Sequence, residues 1–295
     1  MLLLFALSAL VAGDPATALL GPAATPEYAA QFIREMGLDQ PWYRRLPIYL
    51  AHVATGDFGT DVLSGRRVTR IVGAVLPYTF ILTFTSIGLA VAIGVPLGCY
   101  AATHRGSLVD HALAFVSVAF IAIPSFVIAI FLLLLFSTTL NWLPVLGAGT
   151  PGDWGDQATR LILPTVALSV GWIGFIARLV RSSMLEVLGE AYIRTSRAYG
   201  LPGGLVVYKY ALKNACIPVL AVLGLGIGRL LGGAVLVEIV FARPGLGRLI
   251  FDAIATRNFP VLQGSVLIVV VIFVVTNLLV DLSFSLIDPR IRART

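Results

Sequence analysis

Five long apolar stretches dominate the chain beyond residue 76, at 77–102, 110–140, 161–179, 217–240 and 259–287, separated by short polar or basic segments. Apolar residues run without the period-2 alternation of half-buried strands, and the stretches are too long for buried strands, so each predicts an α-helix. Most reach or exceed the ~20 residues that cross a ~30 Å hydrocarbon core. Gly88, Gly94, Pro96 and Gly98 in the first of these stretches and Pro124 in the second are breakers that a bilayer tolerates where neighbouring helices satisfy the backbone. A bend is expected at Pro124. Residues 1–12 are apolar too, but about 18 Å long as a helix. They read as the outer end of a first helix that is short or truncated; a cleaved signal is the other reading, weakened by the lack of a basic start. Residues 13–76 are polar and mixed in charge, and are expected outside the membrane with short amphipathic helices.

The longest polar interruption in the apolar second half falls at 190–218. Glu190 and Arg194 stand four apart with the acid first, the favourable order for a helical pair. Gly200 supplies a left-handed helix end and Pro202 forbids continuation. After Gly203 and Gly204 a second segment carries Lys209 and Lys213 and enters the next apolar stretch at Ile217. The chain is expected to leave the membrane, make a structured basic elbow and return. Within 217–240, Gly224, Gly228 and Gly232 repeat every four residues, a bare stripe for close helix packing.

Composition agrees with a lipid solvent. Hydrophobic residues make up 58% of the 295 and charged residues 12%, against roughly 45–50% and 25% in soluble domains. The net charge of +6 fits Arg and Lys retained on the cytoplasmic side. Nucleic acid is not implied, because no basic stripe carries interleaved aromatics. Cys99 and Cys216 fall near the same face and suggest no disulfide framework. The chain has no G-x-x-x-x-G-K-[ST] phosphate loop and no H-E-x-x-H spacing among His52, His104 and His111. It also lacks a Ser-x-x-Lys or G-x-S-x-G nucleophile. No catalytic or metal site is expected. An ion-coupled transporter or channel would need coupling carboxylates near the midplane and two related halves. Acids near span interiors are only Glu238 and Asp281, and no internal repeat is visible.

The run Glu190-x-Tyr192-Ile193-Arg194-Thr195-x-Arg197-Ala198-x-Gly200-Leu201, followed by Ala211-Leu212-Lys213-Asn214-Ala215-x-Ile217-Pro218, resembles the cytoplasmic EAA loop of ABC importer permeases. It is most similar to the version in the dipeptide, oligopeptide and nickel family. Ser196 and Tyr199 depart from that pattern, where Ala and Lys are common. Met36-Gly37-Leu38-Asp39-Gln40-Pro41, Gly56-Asp57-x-Gly59 and Glu238-x-x-Phe241-x-x-Pro244-Gly245-Leu246-Gly247-Arg248-Leu249 match other segments of the family. So do Asn277-Leu278-Leu279-Val280-Asp281-Leu282 and Asp288-Pro289-Arg290-Ile291-Arg292.

The resemblance implies an all-α, multi-pass helical bundle of the ABC importer permease type, with five full spans plus the short first one. The layout it implies is a partial first helix at 1–12, an external segment at 13–76, a permease domain at 77–287 and a cytoplasmic tail at 288–295. Residues 182–216 would form the coupling loop, with Glu190, Tyr192, Arg194, Thr195, Arg197, Gly200 and Leu201 facing an ATPase. The implied partners are a second permease subunit, two ABC ATPase subunits that bind the ATP, and an external solute-binding protein. Arg229 matches no family motif. A charge at mid-span is expensive and usually functional, so it reads either as a group on the translocation route or as a structural or snorkelling side chain.

Overall fold

The computed structural model describes residues 55–287, together with Tyr43, Pro47, Ile48 and residues 51–53. The side chains of Leu225, Arg229, Leu231, Val280, Asp281 and residues 283–287 lie outside what it describes. So do the readings made on residues 1–12, on Met36 to Pro41 and on the tail at 288–295.

Helices account for nearly all of the described chain. The long ones are α1 (Val68–Thr103), α4 (Trp154–Leu188), α8 (Ile217–Val240) and α10 (Phe259–Ile287). Between α1 and α4 lie α2 (Leu108–Ala122) and α3 (Ser125–Leu132), the latter continued by a π-helical stretch at Leu133–Thr139. The elbow is made of α5 (Ala191–Ala198), the short α6 (Gly203–Leu205), a π-helical stretch at Val206–Ala211 and α7 (Leu212–Ala215). An amphipathic helix, α9 (Leu246–Ala255), precedes α10.

Among the described residues four helical runs are long and apolar enough to cross a membrane. The count is five if α2 and α3, bent by 96° about their break, are one span. The bend expected at Pro124 is therefore present. Its cause is local: proline has no N–H to give and its ring excludes the preceding turn.

Two helices extend beyond the apolar windows that announce them. α1 begins at Val68 rather than near 77. Its first turns carry Arg70 but bury Val68 and Val72 completely or nearly so, so packing rather than local apolarity sets the start. α4 begins at Trp154, because Asp153 accepts from the amides of Gly155 (3.0 Å) and Asp156 (3.1 Å) and caps the helix. An Asp156–Arg160 pair at 2.7 Å supports that first turn.

The chain divides into two compact units. One comprises residues up to 79 and 244–272. In it a two-residue bridge between Thr60 and Arg67 closes a tight loop before α1. Val68, Val72, Leu246, Ala253 and Val261 form its core, with Phe58 against them. Gly264 is needed there, since a Cβ would lie 2.6 Å from Val68 Cγ1. The Leu246 amide, at the start of α9, donates to Thr79 Oγ1 at 2.8 Å. Asp61 accepts from Ser64 and from Asn258.

The other unit comprises 80–243 and residues from 273. Here α4 is the central strut. α1 lies so close to it that a Cβ on Gly94 would stand 3.0 Å from the Ile173 carbonyl oxygen. One on Gly98 would stand 2.8 Å from Val180 Cβ. On another side Gly174 admits the backbone of α2, with Ser117 O 2.9 Å from its would-be Cβ. Gly94 and Gly98 are spaced as small-xxx-small, the pattern that lets backbones approach in lipid.

Candidate functional site: the elbow between α4 and α8

α4 ends at Gly189, and the chain turns into α5 through Glu190, whose backbone is extended (φ −68°, ψ 151°). Glu190 is thus the N-cap residue and not a member of the helix. Its carbonyl accepts from the amides of Ile193 (3.2 Å) and Arg194 (3.3 Å). The helical pair expected between the Glu190 and Arg194 side chains is not among the ion pairs of the described residues. The physical reason is the cap: a residue outside the helix does not present its side chain on the i,i+4 face that the spacing assumes.

α5 is held by one apolar side chain and one polar bridge. Ile193 is fully buried, packed in a core that includes Val180, Met184, Val206, Ala211 and Ala215. Tyr192 accepts at its hydroxyl from Asn214 Nδ2 at 2.7 Å, joining α5 to α7. Thr195 Oγ1 donates back to the Ala191 carbonyl (3.1 Å) and Ser196 Oγ to the Tyr192 carbonyl (2.8 Å). Arg194, Arg197 and Tyr199 point outward, Tyr199 with 82% of its surface exposed. The result is a short helix fastened on one face and fully available on the other.

Gly200 has φ +76°, and a Cβ there would meet nothing within 4 Å. Glycine is required by backbone conformation alone. Its amide and that of Leu201 return to the carbonyls of Arg197 (2.9 Å) and Ser196 (3.3 Å), closing the helix end. Leu201 then packs against the same core as Ile193. Pro202 restarts helix, which runs through α6 and α7 almost directly into α8.

One contact supporting the elbow's base is not announced by sequence spacing. Asp110, at the start of α2, receives two bonds from the Arg181 guanidinium near the end of α4, Nε to Oδ1 and an Nη to Oδ2 at 2.8 Å. The Gly106 amide donates to the same carboxylate at 3.0 Å, and Ser107 Oγ caps the Asp110 amide at 3.2 Å. The carboxylate is nearly buried while the guanidinium is partly exposed. A bidentate fork fixes orientation as well as distance. Seventy-one residues separate the two partners, so only the fold brings them together.

The other residues singled out by sequence lie in α8. Gly224 is buried, Gly228 faces the ring of Phe273, and a Cβ on Gly232 would meet nothing within 4 Å. Gly226, between two members of the stripe, lies under Trp172, whose Cζ3 would be 2.7 Å from a Cβ there. Among the described residues no group of three or more His, Cys, Asp or Glu side chains is placed to hold a metal ion. Cys99 and Cys216 are free thiols.

Apolar helices joined by an exposed, internally braced elbow are the architecture of a membrane-embedded transport subunit. Residues 94–293 match the model of the binding-protein-dependent transport system inner membrane component. The chain is 39% identical to a dipeptide transport system permease protein of Alkalihalophilus pseudofirmus, over 98% of its own length and 93% of the relative's. It is 42% identical to a probable peptide ABC transporter permease protein of Sinorhizobium fredii, over 98% and 93%. An inward-facing structure of the MetNI methionine ABC transporter superposes with a TM-score of 0.60 at 20% identity, over 75% of this chain and 97% of that one, a likeness of fold. The chain therefore belongs to the family of binding-protein-dependent transport system inner membrane components. It is a multi-pass permease subunit of an ABC importer in a bacterial inner membrane, not an enzyme, and not an ion-coupled transporter.

Proposed function

We propose that this permease imports short peptides, and that the 182–216 loop is where ATP hydrolysis by partner subunits is converted into movement of its helices. The observation that carries the coupling reading is the build of α5. Ile193 and the Tyr192–Asn214 bond fasten it to the bundle, while Arg194, Arg197 and Tyr199 are free to enter a partner's groove. A push on such a helix moves the bundle rather than bending the loop. The peptide reading is supported by the relatives' names, one a dipeptide and one a peptide permease.

In this account 13–76 is external, 77–287 forms the permease domain with five full spans and 288–295 is a cytoplasmic tail. A second permease completes the membrane core, two ATPase subunits bind ATP at the elbows, and an external binding protein delivers cargo. The chain itself carries no cofactor. Gly224 and Gly228 serve helix packing, whereas Gly232 meets no close neighbour within the subunit. Arg229, mid-way along α8, either lines the route or braces the bundle; Arg229→Gln with normal assembly and impaired import places it on the route.

The cargo test is direct. The assembled transporter in proteoliposomes is supplied with binding protein loaded with a dipeptide, a tripeptide or nickel, and ATP hydrolysis is measured. Stimulation by the peptide-loaded protein is expected. Stimulation by the nickel-loaded protein alone overturns the peptide assignment.

A further inference from the structure

The break between α2 and α3 leaves backbone groups without partners at membrane depth. α2 rises about 22 Å from the polar turn at 104–107, well into a ~30 Å hydrocarbon core. Its last amide bond runs from Ile123 N to the Ala119 carbonyl at 3.2 Å, and Pro124 has no N–H to offer the next carbonyl. Among the described residues no hydrogen bond reaches the carbonyls of Phe120, Ile121, Ala122 or Ile123. Free backbone at that depth is tolerated only where it is covered by protein or lines a cavity.

A cavity is there. About 530 Å³ of space opens beside the break, lined by Phe120, Ile121 and Ile123 on one side and by Trp172, Phe175 and Leu230 among others. That volume lies within the ~300–1,000 Å³ of small-ligand sites. The Phe120 carbonyl oxygen is 3.4 Å from the Cβ that Gly171 lacks, and Gly171 also lines the cavity. The bare glycine thus leaves that carbonyl uncovered. The walls are otherwise almost entirely apolar, with Ser125 the one hydroxyl. A fitting ligand must bring hydrogen-bond donors for the carbonyls and apolar surface for the walls. The C-terminal end of α2 carries about half a negative charge, which favours a cation at its carbonyls.

We propose that this cavity is a transit site for the amino-terminal end of a peptide. The ammonium group sits at the free carbonyls of α2, and an apolar first side chain lies against Trp172 and Phe175. The proposal rests on the peptide reading of the cargo and adds which end of the peptide this subunit holds.

The test uses the whole transporter, with its binding protein, in proteoliposomes. The probe is a tripeptide with benzoylphenylalanine at its first position, followed by two alanines. Light during turnover is expected to join the probe to segments 120–126 or 168–175. Gly171→Val, which fills the space at the Phe120 carbonyl, should lower import of phenylalanyl-dialanine by at least about tenfold. ATP hydrolysis stimulated by the loaded binding protein should stay within about twofold, because docking and closure are untouched. Gly171→Ala should fall between. Should Gly171→Val fail to assemble, Val222→Phe, which narrows the same cavity from α8, gives the reading. Wild-type import by whichever variant assembles, or cross-links confined to other segments, overturns the proposal while leaving peptide transport standing. Absence of any import of phenylalanyl-dialanine or trialanine by the unsubstituted transporter overturns the peptide reading, and this site with it.

Discussion

Gly98 and Gly88 lie on the same helix and have opposite surroundings. A Cβ at Gly98 would collide with the Ala177 carbonyl and press on Val180, whereas at Gly88 it would meet nothing. Gly98→Val should therefore cost about 1–3 kcal/mol or more, the usual penalty of overpacking a filled core, and lower the thermal midpoint of the purified complex by several degrees. Gly88→Ala should leave the midpoint unchanged. Equal effects at the two positions would contradict the close approach of α1 to α4. Asp61 offers a pH test outside the membrane spans. Burial alone would raise its pKa, but hydrogen bonds from Ser64 and Asn258, with the amides of Leu63 and Ser64, outweigh that and hold it below its ordinary value. A carboxyl with a depressed folded pKa adds stability above the unfolded value, and that addition is lost as pH falls through the folded one. Hydrogen-exchange protection around 61–64 and 258, measured relative to the intrinsic rate at each pH, should thus fall below the ordinary carboxylate range. In Asp61→Asn that pH-dependent fall should be gone; its persistence would assign it to another group.

At the scale of the element, the elbow was legible where backbone chemistry dictates structure and illegible where packing does. Gly200 and Pro202 announce the end of α5 and the restart of helix, because only a left-handed glycine and a residue without an N–H do those jobs cheaply. The spacing of Glu190 and Arg194 pointed to a pair that does not form, since a capping residue has the same spacing but not the same direction. The π-helical stretch at Val206–Ala211 has no sequence signal, as one extra residue in a turn changes neither composition nor period. The Asp110–Arg181 clamp could not be read from the sequence, because seventy-one residues separate its partners and only the fold joins them. Replacing either member by its neutral analogue, Asp110→Asn or Arg181→Gln, should lower the thermal midpoint of the complex. The exchange Asp110→Arg with Arg181→Asp should recover part of the loss. No recovery would show that the Gly106 and Ser107 contacts, rather than the ion pair, matter.

The whole molecule is a permease whose apolar spans could be read from hydropathy almost to their ends, with α8 and α10 bounded as expected and α1 and α4 longer. What hydropathy does not convey is how one helix is gripped. Gly94, Gly98 and Gly174 bring α1 and α2 onto α4, and Arg181 ties its base to α2. Under the proposed coupling, a strut held on two sides would transmit a push from α5 toward the cavity at Pro124 without dissipating it in loop motion. The membrane sidedness this requires is checked by single cysteines at Thr60, Thr150 and Ser196, with Cys99 and Cys216 replaced. An impermeant reagent outside sealed cells should label the first two, and labelling at 196 would reverse the topology. The central claim, that the elbow converts ATP hydrolysis into transport, is tested most directly by Gly200→Val in the reconstituted transporter. A β-branched residue at φ +76° is strained by roughly 1–2 kcal/mol or more and misdirects α5 while the spans stay folded. Peptide import and ATP hydrolysis stimulated by the loaded binding protein are measured in the same vesicles. The account predicts that import collapses together with the stimulated hydrolysis while the membrane subunits remain assembled; import at the wild-type rate would contradict it.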